Sequence, residues 1–272
     1  DAVWPQPCPA IAQPQCNTKT NTRMKYVQSV QLGNATLYLG DSLTVMQQLE
    51  SAQFAGVITD PPYSSGGTHT GQRQPPTTTK YTEGNHNRPA FSGDNRDQRS
   101  YLAWSNLWMS EARRLTAEGG VLASFIDWRQ LPTLSDAIQA AGWIWRGMVA
   151  WDKTNCRPQP GRFRNQCEYL LWGSNGPMSN KRNAPVMPGC YRMAPPNARQ
   201  RIHQTEKPVA LMESLLPICE PDRPILEPFM GSGATVVAAL NAGRKIVAIE
   251  SDPAIFNAAV ARIEQHLQQQ AA

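Results

Sequence analysis

Two turns in this sequence carry residue types that could do chemistry. The first lies in GVITDPPYSS, residues 56–65. Gly56 to Thr59 is short, apolar and β-branched, as a buried strand is. Pro61 and Pro62 cannot donate to a sheet ladder, so the strand must stop at Asp60. Such a run is also an ordinary turn, because Asp opens turns and proline fixes φ. Read as chemistry, it holds a carboxylate and the Tyr63 ring on a rigid strand end.

The second turn lies in LEPFMGSGATVV, residues 226–237. Gly231 and Gly233 stand where a strand must turn tightly into a helix, which leaves backbone room for a ligand at the helix N-terminus. Glu250 follows about 20 residues on and ends the next strand, where a carboxylate can accept from both hydroxyls of a ribose. A dinucleotide and S-adenosylmethionine both suit this geometry. Against the dinucleotide, Val236 stands where a third glycine would, and Phe229 and Pro228 precede the turn.

The elements that would position these turns alternate. ATLYLGDS reads as a strand, with Ser42 capping a helix through Glu50, and GVITDPPY supplies the next strand. A helix over YLAWSNLWMSEARRLTAEGG, a strand VLASFID, a helix LPTLSDAIQAAG and two strands, WIWRGMVAWD and CEYLLWG, follow. The last two, adjacent in sequence, predict an antiparallel edge on an α/β sheet. A helix from Glu206 or Lys207, then strand, glycine turn, helix, strand and a closing amphipathic helix complete the chain. Asp127 ends a strand and reads as a helix cap or structural acid. Residues 1–25 read as a flexible N-terminal extension, and residues 64–98, nearly without apolar side chains, as a functional loop.

Composition narrows the classes. The 272 residues, 40% of them apolar, can build one large α/β domain over residues 26–272. No apolar run reaches the roughly 18 residues of a spanning helix, and no secretory leader is evident, so no membrane role and a cytoplasmic location are expected. Six scattered cysteines without Cys-x-x-Cys or histidine spacing predict reduced thiols and no metal. The formal charge of +5 is unevenly spread. Ten basic residues against Glu168 and Glu206 lie between Lys153 and Lys207, interleaved with aromatic residues, as on a surface for polyanions.

DPPY, FMGSG and the HQTEKP that joins them closely resemble the amino-group DNA methyltransferases, which make N6-methyladenine or N4-methylcytosine. The order, catalytic motif first, recognition region between and cofactor motif last, is similar to the β arrangement of that family over residues 32–266. The resemblance implies a Rossmann-like S-adenosylmethionine-dependent fold with a circularly permuted motif order and a mostly parallel sheet. By motif match, Asp60, Pro61, Pro62 and Tyr63 would be catalytic. Asp41, Thr205, Lys207, Glu227, Phe229, Gly231, Ser232, Gly233 and Glu250 would bind S-adenosylmethionine, with Lys207 either on its carboxylate or a plain helix-start lysine. The Asp60 carboxylate and, as relatives suggest, the Pro61 carbonyl would accept the two N–H groups of a flipped base stacked on Tyr63.

Lys80 in the loop and Arg157, Arg162, Arg164, Lys181 and Arg182 in the inserted basic segment 153–204 are the expected contacts to double-stranded DNA, chiefly through phosphates. Asp60 tilts the base to adenine, with N4-cytosine the alternative. The short recognition segment suggests a short or relaxed target. Many relatives are dimers, so a homodimer is one expectation, and no nuclease motif points to a partner. Three rivals stay open: methylation of RNA or of a protein glutamine, a silent DNA binder, and a nicotinamide-dependent enzyme.

Overall fold

The computed structural model describes residues 28–64, 94–154, 158, 160–182, 184–196 and 206–271. The expectations for residues 1–25, for the loop that carries Lys80, and for Arg157 and Thr205 lie outside these. In chain order the elements are β1 (Gln28–Leu32), β2 (Ala35–Leu39), α1 (Ser42–Met46), β3 (Phe54–Thr59), α2 (Gln98–Leu115) and β4 (Thr116–Ile126). Then come α3 (Leu131–Ala140), β5 (Ile144–Asp152), β6 (Cys167–Ser174), β7 (Cys190–Arg192), α4 (Val209–Leu215) and a 3-10 turn (Leu216–Ile218). The chain closes with β8 (Ile225–Glu227), α5 (Ala234–Asn241), β9 (Ile246–Glu250) and α6 (Pro253–Ala271).

All nine strands form one sheet in the order β1-β2-β9-β8-β3-β4-β6-β5-β7. The block from β2 to β4 is parallel, and β6 pairs antiparallel with both β4 and β5, which is the expected antiparallel edge. β3 is buried at every position, as a strand covered on both faces must be. Its side chains divide between two cores, with a register shift between Phe54 and Gly56. Ala55 and Ile58 face one that takes in α4, α5 and α6, while Phe54 and Val57 face another built on α1, α2 and α3. The result is a three-layer α/β sandwich.

The crossover from β8 through α5 leads to β9, and the one leading from β3 to α2 reaches β4 on the other side. A parallel crossover is right-handed, so α5 and α2 must cover opposite faces, and they do. The strand order reverses between the paired strands β8 and β3, so the connections that follow them leave to opposite faces and a crevice opens beyond the strands' C-terminal ends. Both chemically suggestive turns leave from there.

Local chemistry sets the ends of the elements. Asp97 caps α2 by accepting from the Arg99 and Ser100 amides, and Arg113 and Arg114 occupy its last turn, where cations suit the helix dipole. The helix expected to run to Gly120 stops at Leu115, because Thr116 already pairs with Phe54 in the sheet. α1 is shorter than expected and is capped by Asp41 rather than Ser42. β1, not expected as a strand, pairs with β2 through the Gly33–Asn34 turn. α4 begins at Val209 rather than at Glu206 or Lys207, since Pro208 is its extended cap residue. Among the described residues no helix is long and apolar enough to cross a membrane.

Gly56 is the tightest point of β3. A Cβ there would stand 2.6 Å from the Val121 carbonyl oxygen and 2.7 Å from Cys219 Sγ. Gly56→Ala is therefore expected to destabilise the fold by about 1–3 kcal/mol, the usual range for overpacking. Urea unfolding checks this through a lowered midpoint at unchanged slope.

Candidate active site

Asp60 follows the last residue of β3 and faces the crevice with 22% of its side chain exposed. Both of its oxygens are engaged: the Tyr63 hydroxyl lies 2.6 Å from Oδ1, and Lys207 Nζ lies 2.7 Å from Oδ2. Lys207 is 4% exposed, and its ammonium also lies 2.9 Å from the Tyr63 oxygen and 3.1 Å from Glu168 Oε2. The rings of Tyr63, Phe125 and Trp151 close around it within 5.1–5.7 Å. Lys153 Nζ lies 3.0 Å from the other Glu168 oxygen. Two carboxylates and two ammonium groups thus alternate, so the cluster is neutral.

Burial would lower the Lys207 pKa, but Asp60 and Glu168 outweigh it and raise it, so this lysine stays cationic. Burial would likewise raise Glu168, yet Lys207 and Lys153 hold it down at about 2. Burial raises Asp60, with Lys207 pulling the other way. Lys207 is thus more than a plain helix-start lysine: it is the counter-ion of Asp60 and lines the cavity shared with the second turn.

The second turn lies across the crevice. Gly231 and Gly233 have φ of +53° and +79°, in the left-handed region that favours glycine. A Cβ on Gly231 would meet nothing within 4 Å, so the backbone is open on the crevice side. Glu250 Oε2 accepts from the Gly231 amide at 2.9 Å, and Oε1 accepts from the Ser251 and Asp252 amides at 2.8 and 2.9 Å. Burial raises its pKa against these three bonds. The carboxylate is fixed at the cavity wall with acceptor capacity left over.

Glu227, read as a cofactor contact, lies at the cavity wall as a buried strut. It accepts from the Thr59 hydroxyl, from the Phe229 amide at 3.1 Å and from the Thr235 hydroxyl at 2.8 Å, tying the ends of β3 and β8 to α5. Burial pushes its pKa up to about 8. The Ser232 hydroxyl and carbonyl lie 3.3 and 3.1 Å from Arg262 of α6, which also pairs with Glu206 at 2.9 Å. This pins the glycine turn to the residue preceding Lys207.

Phe229 packs at 5.2–5.3 Å against Trp104 and Trp108 of α2, and the Arg96 guanidinium covers Trp104 at 4.2 Å. Asp41 accepts from the Thr44 amide and lines the same cavity, with Asp94 and Arg96 beside it. Asp127 accepts from the Arg129 and Gln130 amides, as a structural acid does.

The basic segment divides. Arg162, Arg164 and Lys181 are exposed. Arg182 is not an outward phosphate contact, because its guanidinium donates to the Gly119 and Ile218 carbonyls. Lys153, counted with the basic surface, faces inward onto Glu168. Sequence reasoning missed Glu168, Trp104, Arg96 and Arg262 as site residues. An acid nearly alone among ten basic residues was the one available signal for Glu168.

Comparisons with known proteins agree with this architecture. A family model described as DNA methylase, of the N6/N4 type, matches residues 54–261. YubD of Escherichia coli (strain K12), named as a candidate methylase, is 28% identical over 213 residues, 78% of this chain and 82% of its own. The type II methyltransferase M.ScaI of Streptomyces caespitosus is 24% identical, over 85% of this chain and 82% of its own. Among solved structures, the M1.HpyAVI–S-adenosylmethionine complex superposes with a TM-score of 0.59 at 24% identity, covering 84% of this chain and 99% of that one. The cytosine-N4-specific PvuII methyltransferase gives 0.67 at 16% identity, over 89% and 94%.

The Glu227 strut has a pH consequence. Its folded pKa of about 8 lies above the ordinary 4.5, so its contribution to stability is complete below pH 4.5 and is lost as pH rises towards 8. Urea midpoints are expected to decline over that window in the wild type and to flatten in Glu227→Gln, which cannot titrate.

Proposed function

Since the chain belongs to the DNA methylase family, we propose that it transfers a methyl group from S-adenosylmethionine to the exocyclic amine of a base flipped out of double-stranded DNA. Adenine N6 is the preferred target and cytosine N4 the second reading. The observation that carries the proposal is the shared crevice: the Asp60 carboxylate and the Gly231–Glu250 turn line one cavity.

The residues present fit this cofactor. Gly231 leaves open backbone on the cavity side, Glu250 offers a fixed carboxylate for the ribose hydroxyls, and the aromatic wall of Phe229 and Trp104 suits a flat purine. Asp41 borders the same cavity. When bound, S-adenosylmethionine supplies an electrophilic methyl group on a sulfonium centre.

The chain's own residues deal with a weak nucleophile. The lone pair of an exocyclic amine is delocalised into its ring. An acceptor on each N–H, Asp60 and the Pro61 carbonyl, favours a more tetrahedral nitrogen with that pair free. Proline keeps these acceptors still, so little reorganisation accompanies the reaction. Once the nitrogen is methylated it must shed a proton, and Asp60, with its pKa raised by burial, is suited to take it. The Tyr63 ring borders the cavity and offers a stacking face to the extruded base. Asp60 in the first position of its motif favours adenine. The resemblance to the cytosine-N4-specific PvuII enzyme keeps cytosine as the second reading.

Exposed Arg162, Arg164 and Lys181 supply phosphate contacts in this reading, and each neutralised charge lost should weaken binding and reduce its salt dependence.

Tritiated-methyl transfer to duplexes with and without adenine, followed by nucleoside analysis, tests the proposal. N6-methyladenine is expected, with Asp60→Ala slower by at least about a hundredfold. N4-methylcytosine would replace the base and keep the mechanism. Label in RNA or protein alone, or none, would overturn it.

A further inference from the structure

We propose that Glu168 is a positioning residue of this reaction: it receives the Tyr63 hydroxyl when a substrate amine takes Asp60 Oδ1, so that Lys207 remains on Oδ2 throughout. The inference rests on the methyl-transfer reading above and deepens it.

Each Asp60 oxygen already carries one donor. The Tyr63 hydroxyl is on Oδ1 and the Lys207 ammonium on Oδ2. An entering amine competes with these donors for the carboxylate, and the two differ in how firmly they are held. Lys207 has three N–H donors and three oxygen partners, on Asp60, Tyr63 and Glu168. It is buried and ringed by aromatic faces, so removing it from Asp60 would strand a charge. A hydroxyl makes a weaker bond to a carboxylate than an ammonium does.

Tyr63 also has somewhere to go. Its hydroxyl has one hydrogen and two carboxylate acceptors, Asp60 Oδ1 at 2.6 Å and Glu168 Oε2 at 3.1 Å. Turning the hydrogen from the first to the second frees Oδ1 without leaving the phenol unpaired. Glu168 is itself held in place to receive it, because Lys153 grips its Oε1 at 3.0 Å and its backbone pairs with Trp151 in the β5–β6 ladder. Because Lys207 bridges both carboxylates, Asp60 keeps one charged partner in either arrangement.

A double-mutant cycle reads this directly. Tyr63→Phe keeps the ring and removes the hydroxyl, and Glu168→Gln keeps the shape and removes the charge. With the hydroxyl present, Glu168→Gln is expected to lower kcat roughly tenfold or more, and in the Tyr63→Phe background less than about threefold, with duplex KM changed less than about threefold in both. Equal factors in the two backgrounds overturn the inference.

A second readout needs no turnover. Carbon-13 at Tyr63 Cζ, assigned by its loss in Tyr63→Phe, should shift when a duplex with a mismatched target base binds the wild type, and should shift differently in Glu168→Gln. A resonance unmoved by a bound duplex also overturns the inference. If Glu168→Gln does not fold, Glu168→Asp, which keeps the charge and shortens its reach, enters the same cycle with the same expected coupling to Tyr63. A wild type inert on every duplex overturns the methyl-transfer reading and this inference with it. An active wild type with additive variants overturns this inference alone.

Discussion

The site depends on one buried ammonium. Asp60 and Glu168 come from strands on either side of β4 and converge on the same phenol oxygen, an arrangement two ionised carboxylates could not hold without a cation between them. Lys207 supplies that cation, and its own charge is tolerable in the interior only because both carboxylates and three ring faces surround it. Each member is therefore a condition for the others. The Asp60 carboxylate is held from both oxygens, which is what electrostatic preorganisation requires.

A second set of bonds carries that order to the glycine turn. Arg262 reaches from α6 to Glu206, next to Lys207, and to Ser232 in the glycine turn. Glu227 ties the end of β8 to Thr59 at the end of β3 and to Thr235 in α5. The two turns face each other across a crevice whose walls are linked below and to one side by charged or hydrogen-bonded struts. The strand order made this possible, because β8 and β3 are neighbours although some 170 residues of chain separate them.

Several features were legible in the chain of residues alone. The prolines after Thr59 could only end a strand, and the two glycines after β8 could only be a tight turn, because both statements follow from backbone sterics within a few residues. Apolar period located most of the helices, while the cap residues expected for α1 and α4 were corrected by the fold. Errors gathered where a local signal met a tertiary competitor. The helix expected to reach Gly120 ended at Leu115 because sheet pairing claimed Thr116. β1 was missed because it is mostly exposed and has little apolar alternation of its own.

Residue type and short-range spacing marked the candidate groups: a carboxylate on a proline-stiffened strand end, a glycine turn with an acid beyond it, and a basic middle. Which charged side chains gather at the crevice was decided only when the chain folded. Arg182, Lys153 and Lys207 share a segment with Arg162 and Arg164, yet they turn inward, to backbone carbonyls, to Glu168 and to Asp60. A charge in sequence carries no direction. Its partner is chosen by strands and helices that meet far along the chain, and burial then fixes the pair because neither group can be left in the interior alone.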